Sequence, residues 1–181
     1  LLHFVNTNPA IKFIIAPHEI NQQNLSDVKD EFPKSVFYSA LLAEGAAKKT
    51  GQAGDQSTPN VLIIDKVGMV SRLYKYATIA YVGGGFGGDG VHNVLEAAVY
   101  GKPVVFGPVY EKFDEAVGLV DAEGAISIDG PVSLEAAINN LLKDETETLR
   151  RGDAAKKYVV EHTGASKKII QFIQEKRLLT N

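Results

Sequence analysis

A glycine-rich turn is the stretch of this sequence whose residue types point most directly to chemistry. Residues 81–98 read YVGGGFGGDGVHNVLEAA, with five glycines among the six residues from Gly83 to Gly88. Glycines let backbone N–H groups approach a ligand closely, and the N–H groups and dipole of a following helix favour an anion, typically a phosphate. We expect this helix to begin near Val91 or His92. The stretch therefore predicts a phosphate-binding turn, against the alternative of a turn that only packs strand on helix.

Polar side chains follow the glycines at helical spacing. Asn93 and Glu96 lie three residues apart, which places both on the same side of a first helical turn. A carboxylate there can accept two hydrogen bonds from a vicinal diol such as that of a ribose. His92 is either a ligand contact or a structural cap. Together these residues predict a site for a phosphorylated sugar or nucleotide.

A dinucleotide site is the lesser interpretation of the same glycines. Gly83, Gly85 and Gly88 match the spacing G-x-G-x-x-G. That fingerprint needs an acidic residue about 20 positions later, at the end of the next strand, but here this strand runs into Gly107-Pro108. The four histidines are scattered, with no metal-binding spacing, so no metal site is predicted.

The elements that must position these residues alternate between apolar runs and helical patterns. Such near-continuous apolar strands are typical of a parallel sheet covered by helices on both faces. The predicted strands are 12–16, 35–38, 61–65, 79–82, 103–106 and 125–128, and the predicted helices are 25–31, 40–49, 69–77, 93–100, 111–120 and 134–142, followed by two helices within 145–178 that break near Thr163-Gly164. The order predicts an α/β fold with a Rossmann-like, doubly wound parallel sheet.

Three further turns, the last of them residues 107–113 after the fifth strand, should lie at the carboxyl ends of these strands, where open α/β sheets bind ligands. Pro17, His18 and Glu19 follow the first strand, and Gly68 and Met69 follow the third. His18 and Glu19 are either ligand contacts or a structural pair. Met69 either faces a flat base or fills the core. Lys66 and Lys112 are each either a phosphate partner or a solvated lysine.

Composition limits the classes of function. The 181 residues carry a net charge of -3, are 45% hydrophobic and contain no cysteine, which suits one domain, residues 1–181. The charge argues against nucleic acid as a general partner. Without cysteine there is no disulfide framework or thiolate metal site, and a cytoplasmic location is the simpler expectation. The chain starts Leu1-Leu2-His3-Phe4 without methionine, so we expect a fragment.

The motifs resemble those of the 3-deoxy-D-manno-octulosonic acid (Kdo) transferases, in the same order and over about residues 13–116. The matching stretches are APHE at 16–19, DKVGM at 65–69 with Leu73-Tyr74, VGGGF at 82–86, GVHNVLEAA at 90–98, and GKPVVFGP at 101–108. The run Gly-x-His-Asn-x-Leu-Glu-x-Ala is the specific part. Many members carry Arg after the proline that matches Pro17, whereas this chain has His18.

This resemblance implies a GT-B glycosyltransferase, of which residues 1–181 are the C-terminal donor-binding half. The implied reaction is inverting transfer of Kdo from CMP-Kdo to a lipid A precursor in lipopolysaccharide biosynthesis, with no cofactor and no metal. The acceptor site, the membrane contact, the general base and a first strand would belong to a missing N-terminal part, so the fragment alone should be inactive. The full-length protein is expected in the bacterial cytoplasm, at the cytoplasmic face of the inner membrane.

The resemblance also assigns substrate-binding residues. Glu96 would bond the ribose hydroxyls, while Gly85, His92 and Asn93 would line the phosphate and sugar, with His92 a candidate stabiliser of the leaving phosphate. Pro17, His18, Gly68 and Met69 would border the cytosine. Glu19, Gly84 and Phe86 complete the predicted set.

Three other functions remain open from the sequence. These are another GT-B nucleotide-sugar transferase or UDP-sugar epimerase, a dinucleotide-binding oxidoreductase domain, and a non-catalytic interaction module. A C-terminal helix in GT-B enzymes commonly crosses to the partner domain. We therefore expect exposed apolar surface along Ile169, Ile170, Phe172 and Ile173.

Overall fold

The computed structural model describes residues 1–47 and 59–178 and divides the chain into two compact units, Leu1–Leu73 and Tyr74–Asn181. Within each unit, parallel strands alternate with helices along the chain. The last two residues of the predicted helix 40–49 and the polar segment 51–57 lie outside the described residues.

The first unit contains a three-stranded parallel sheet with β3 in the middle, in the order β1-β3-β2. Its elements are α1 (Leu2–Thr7), β1 (Phe13–Ile15), α2 (Gln22–Glu31), β2 (Ser35–Phe37), α3 (Tyr38–Ala47), β3 (Val61–Ile63) and α4 (Val70–Leu73). The register aligns Ile63 at the end of β3 with Ile15 on one side and Phe37 on the other. Residues just beyond these three strands therefore emerge at one sheet edge.

The core of the first unit forms where the sheet meets α1 and α2. Val5, Phe32, Val61 and Ile63 are buried and pack together. Ile63 is completely buried, and this explains why the run 61–64 is apolar at every position.

The second unit contains the other parallel sheet, in the order β4-β5-β6. Its elements are a 3₁₀ turn (Tyr74–Tyr76), β4 (Ala80–Tyr81), α5 (Leu95–Ala98), β5 (Val104–Phe106), α6 (Asp114–Asp121), β6 (Ala125–Ser127), α7 (Pro131–Lys143), α8 (Glu145–Glu161) and α9 (Ala165–Glu175). All three residues of the central strand β5 are fully buried. Val94, Leu119 and Ala155 from the surrounding segments complete this core.

The predicted fold class is confirmed, because all six strands form where the apolar runs lie and every strand pairing is parallel. The break in the C-terminal helical region is confirmed as well, since α8 ends at Glu161 and α9 begins at Ala165. Gly164 supplies the connection with φ of 100°, a backbone conformation that glycine adopts without steric cost.

The helix after the glycine turn differs from its prediction. We expected it to begin near Val91 or His92, but α5 begins at Leu95. The reason is that Val91 pairs in an antiparallel bridge with Gly84, and the His92 N–H donates to the Gly83 carbonyl at 3.1 Å. These bonds join the two residues to the start of the glycine turn and keep them out of the helix.

Helix α9 exposes the apolar side chains that the sequence predicted. Ile169, Ile170 and Phe172 are 59%, 55% and 54% exposed. The expectation is therefore confirmed for these three residues, whereas Ile173 is half-buried. Within residues 1–47 and 59–178, no helix combines the length and apolar character needed to cross a membrane.

Candidate functional site

The glycine turn of the second unit folds back on itself directly after β4. Gly84, Gly85 and Gly90 have φ of 79°, 74° and 79°, in the region that favours glycine. The antiparallel bridge between Gly84 and Val91 closes the turn at its base. The sequence thus forms a closed loop at the carboxyl end of the sheet.

Close backbone packing explains two of these glycines. A Cβ at Gly84 would lie 2.3 Å from the Gly90 carbonyl oxygen, and one at Gly85 would lie 3.0 Å from Gly107. The Val109 N–H also donates to the Gly85 carbonyl at 2.8 Å. By contrast, a Cβ at Gly87 would meet nothing within 4 Å. Packing therefore accounts for Gly84 and Gly85, whereas the backbone at Gly87 is open.

Asn93 and Glu96 are in contact, as their spacing predicted. Asn93 Nδ2 donates to Glu96 Oε1 at 3.2 Å, while Asn93 Oδ1 accepts from the Leu95 N–H at 3.1 Å. Asn93 therefore lies before α5 rather than on it, and it uses an N–H at the start of the helix. Since α5 has only four residues, its dipole is much smaller than the prediction assumed. Any anion site here depends mainly on the loop.

Glu96 also lies near Tyr74, a neighbour that the sequence reasoning did not assign to the site. Burial of Tyr74, together with the negative charge of Glu96, raises the pKa of its phenol above the ordinary value. The sequence did contain a signal for Tyr74, because Leu73-Tyr74 is among the stretches that resemble the Kdo transferases. Tyr74 also packs against the core of its unit.

His92 and Phe86 lie against different glycines. His92 is exposed, and a Cβ at Gly83 would lie 3.6 Å from its Cδ2 atom, so its ring covers that glycine. Phe86 is 53% exposed, and its ring covers Gly107. Both rings therefore present surface to solvent next to the glycines.

In the first unit, the residues after β1 line an open pocket of about 470 Å³. Its lining residues are Pro17, His18, Glu19, Asn24, Asp27 and Val28. The Glu19 carboxylate accepts from Asn21 Nδ2 at 3.3 Å and from Asn24 Nδ2 at 3.4 Å. Three predicted site residues thus line this pocket, and Asn21, which caps α2, and Asn24 within α2 hold the Glu19 carboxylate.

The turn after β3 carries Gly68 and Met69. Gly68 has φ of 80°, and a Cβ there would meet nothing within 4 Å. The Met69 carbonyl accepts from the Arg72 N–H at 3.0 Å, which joins the turn to α4. Met69 is half-buried, so its burial alone does not decide whether it faces a base or fills the core, the two alternatives from the sequence.

Asp65 and Ser39 form a polar contact that sequence reasoning missed. The Ser39 N–H donates to Asp65 Oδ1 at 3.0 Å, and the Ser39 hydroxyl donates to Asp65 Oδ2. Burial alone would raise the pKa of Asp65, but the bonds from Ser39 outweigh it and the pKa lies below the ordinary value. No local sequence pattern indicates this contact, because strand register brings together two residues that are 26 positions apart.

The structure thus arranges the predicted residues in local groups within their own units. Gly84, Gly85, Phe86, His92, Asn93 and Glu96 share the loop after β4, while the residues after β1 and those after β3 form the other two groups. Lys66 and Lys112 are exposed. Across residues 1–47 and 59–178, no group of three or more His, Asp or Glu side chains is placed to hold a metal ion.

Comparison with solved structures defines the class of this fold. The chain matches the C-terminal CMP-Kdo binding domain of WaaA from Acinetobacter baumannii with a TM-score of 0.69 and 18% identity, over 87% of this chain and 78% of that chain. The chain therefore shares the Rossmann-like α/β fold of that C-terminal domain, as the sequence predicted.

Comparison with curated sequences shows which proteins this chain is similar to. The chain is 28% identical over 144 residues to the 3-deoxy-D-manno-octulosonic acid transferase of Aquifex aeolicus, and 27% identical over 168 residues to that of Haemophilus influenzae. These matches cover 78% and 92% of this chain but 36% and 37% of the relatives, so the chain spans about a third of their length. No family model matches the chain. The predicted resemblance to the Kdo transferases is confirmed over most of the chain.

Proposed function

We propose that this chain is the donor-binding part of a Kdo transferase, which moves Kdo from CMP-Kdo to a lipid A precursor in lipopolysaccharide biosynthesis. The observation that carries the proposal is the similarity to Kdo transferases over as much as 92% of the chain. The shared fold with a CMP-Kdo binding domain supports it.

The loop after β4 offers groups suited to the sugar phosphate of the donor. In our proposal the Glu96 carboxylate accepts hydrogen bonds from the ribose hydroxyls, and the amide of Asn93, at 3.2 Å, orients it. Gly85, His92 and Asn93 line the phosphate and sugar, and Gly84 completes this part of the site. Bonds to a charged acceptor are about twice as strong as neutral ones, which suits Glu96 to this role.

The other two groups complete the proposed donor contacts. Gly68 and Met69 border the cytosine together with Pro17 and His18, while Glu19 lines the donor, as does Phe86 from the loop after β4. Gly68 has no side chain and open space around it, so it allows a flat base to approach its backbone.

The proposed reaction breaks the bond between the anomeric carbon of Kdo and a phosphate oxygen of CMP. The electron pair stays on that oxygen, and the acceptor hydroxyl bonds the anomeric carbon from the opposite face, which inverts its configuration. The hydroxyl proton passes to a general base. This chain contributes by stabilising the negative charge that grows on the phosphate, with His92 as the candidate donor.

The remaining parts of the reaction belong, in this proposal, to the portion of the relatives that this chain does not match. That portion supplies the acceptor site, the general base and the membrane contact, so the chain by itself is inactive. No cofactor takes part. We place the whole enzyme in the bacterial cytoplasm, at the cytoplasmic face of the inner membrane.

Calorimetric titration with CMP, UMP and UDP tests the proposal. We expect CMP to bind most tightly. A preference for UDP would replace the proposal with another GT-B transferase or a UDP-sugar epimerase, and tight binding of NADH would favour an oxidoreductase domain. Binding of none of these nucleotides would leave an interaction module as the better account.

A further inference from the structure

We propose that Asp65 is a positioning residue for the nucleotide base. Through Ser39 it fixes the turn that carries Gly68 and Met69, and so sets the surface that the base meets. The inference rests on the proposed function, because it concerns the same donor site. Asp65 itself is not assigned a contact with the donor.

Strand register brings the two residues together. Phe37 at the end of β2 lies opposite Ile63 at the end of β3. Ser39 and Asp65 each follow their strand by two residues, so the same parallel register places them side by side at the carboxyl edge of the sheet. This edge is where open α/β sheets hold their ligands.

The geometry of the contact makes it a two-point attachment. One carboxylate oxygen of Asp65 accepts the Ser39 N–H at 3.0 Å, and the other accepts the Ser39 hydroxyl. Two bonds to one charged group fix both its position and its orientation. Since Ser39 lies in the first turn of α3, Asp65 is tied to a ten-residue helix rather than to another loop.

The turn beyond Asp65 is largely exposed. Lys66, Val67 and Gly68 are exposed, with Val67 86% exposed, and Gly68 has no atom within 4 Å of where its Cβ would be. At its far end the turn is held by the bond from the Arg72 N–H to the Met69 carbonyl. The contact of Asp65 with Ser39 therefore sets the direction in which the chain leaves β3.

The test compares Asp65→Ala and Ser39→Ala with the wild type. Titration with CMP and with ribose 5-phosphate separates the base from the rest of the nucleotide. We expect Asp65→Ala to bind CMP about tenfold more weakly, the scale of lost bonds to a charged group, and Ser39→Ala to bind it more weakly by a smaller factor. Both variants should bind ribose 5-phosphate as the wild type does. Ser39→Thr keeps the hydroxyl and should restore CMP binding.

Matched controls and a double variant sharpen the result. Asp30→Ala and Ser26→Ala make the same changes at exposed positions of α2 and should leave both affinities unchanged. The variant that combines Asp65→Ala with Ser39→Ala should be no weaker than Asp65→Ala, because a coupled pair is lost only once. If Asp65→Ala does not fold, the test uses Ser39→Ala alone, because this variant keeps the bond from the backbone N–H of residue 39 to Asp65.

Two results would overturn the inference. One is wild-type CMP affinity in both variants, and the other is an equal loss for CMP and ribose 5-phosphate, which indicates a general structural defect. A wild-type protein that does not prefer CMP over UMP and UDP would instead refute the proposed function itself. The wild-type titration thus separates the two failures.

Discussion

Glu96 shows how much of a site depends on a single neighbouring side chain. It lies in the first turn of a four-residue helix, and the amide of Asn93 holds one of its oxygens at 3.2 Å. The charge of Glu96 acts in turn on Tyr74, whose pKa it helps to raise. At this scale the predicted spacing of three residues is enough to bring the two side chains into contact, although only one of them is helical.

Replacement of Glu96 by Gln tests its proposed contact with the ribose. The substitution keeps the shape and one oxygen acceptor but removes the charge, so CMP binding should weaken by about 1–3 kcal/mol. Isothermal calorimetry measures the change. Glu161→Gln, the same change at an exposed position near the end of α8, should bind CMP as the wild type does. Unchanged affinity in Glu96→Gln would remove this residue from the site.

Gly84 tests the backbone of the loop at the same scale. Its φ of 79° and a Cβ position 2.3 Å from the Gly90 carbonyl oxygen make alanine costly. Gly84→Ala should lower the free energy of unfolding by at least about 2 kcal/mol, through backbone strain and overpacking. Gly87→Ala is the matched control, because its Cβ would meet nothing. Similar urea denaturation curves for the two variants would contradict this reading of the loop.

At the scale of elements, α8 is held by a charged network as well as by its buried face. The Glu147 carboxylate accepts from Arg150 Nε at 2.6 Å and from Arg151 Nε at 2.7 Å. Arg150 also pairs with Glu123 at 2.6 Å, and Arg151 donates to the Glu123 carbonyl at 3.1 Å. Because Glu123 has φ of 58°, the two arginines fix a turn whose backbone is unusual for a non-glycine residue.

This network predicts a pH dependence of stability. Hydrogen bonds from Arg150 and Arg151 lower the pKa of Glu147 from 4.5 to about 2. A lowered folded-state pKa stabilises the protein fully above pH 4.5, and this stabilisation is lost as the pH falls toward 2. Glu147→Gln should therefore lose less stability than the wild type between these pH values, as measured by urea denaturation.

Glu145 provides the control for the pH experiment. It also lies in the first turn of α8, so Glu145→Gln removes a carboxylate from the same helix end without removing the arginine pairs of Glu147. We expect its stability to follow the wild-type slope more closely. An equal change of slope in both variants would assign the effect to the helix end instead.

At the scale of the whole molecule, side chains of the same type differ widely in how far they are buried. Leu119 on α6 is completely buried within the core of the second unit, whereas Leu149 on α8 is 61% exposed. Helix α9 adds to the exposed apolar surface through Ile169, Ile170 and Phe172. Residue type alone therefore does not indicate which apolar side chains stabilise the fold.

The same substitution at two leucines measures this difference. Leu119→Ala should cost about 2–5 kcal/mol of unfolding free energy, because it leaves a cavity in a packed core. Leu149→Ala, at an exposed position, should stay within about 0.5 kcal/mol of the wild type. Chemical denaturation of both variants gives the comparison. Equal losses would show that Leu149 is less exposed in solution than in the structure.

The sequence predicted the strands well because burial on both faces imposes apolar runs. The apolar stretches 61–64 and 103–106 are typical of strands that are covered on both faces, and they form the central strands of the two sheets. The helix break at Thr163-Gly164 was also predicted correctly, because its signal lies in adjacent residues of the sequence. The start of α5 was predicted wrongly, because the bonds of Val91 and His92 to the other side of the loop outweigh local helical preference.

By itself, then, the sequence determined the α/β class, the positions of the strands, the glycine loop and the family resemblance, all of which depend on neighbours in the chain. Only the tertiary structure decided the contact between Ser39 and Asp65, the packing of Gly85 against Gly107, and the charge of Glu96 beside Tyr74. Each of these joins residues that are 22 or more positions apart in the sequence. Strand register and loop closure bring such residues together, and neither leaves a local pattern.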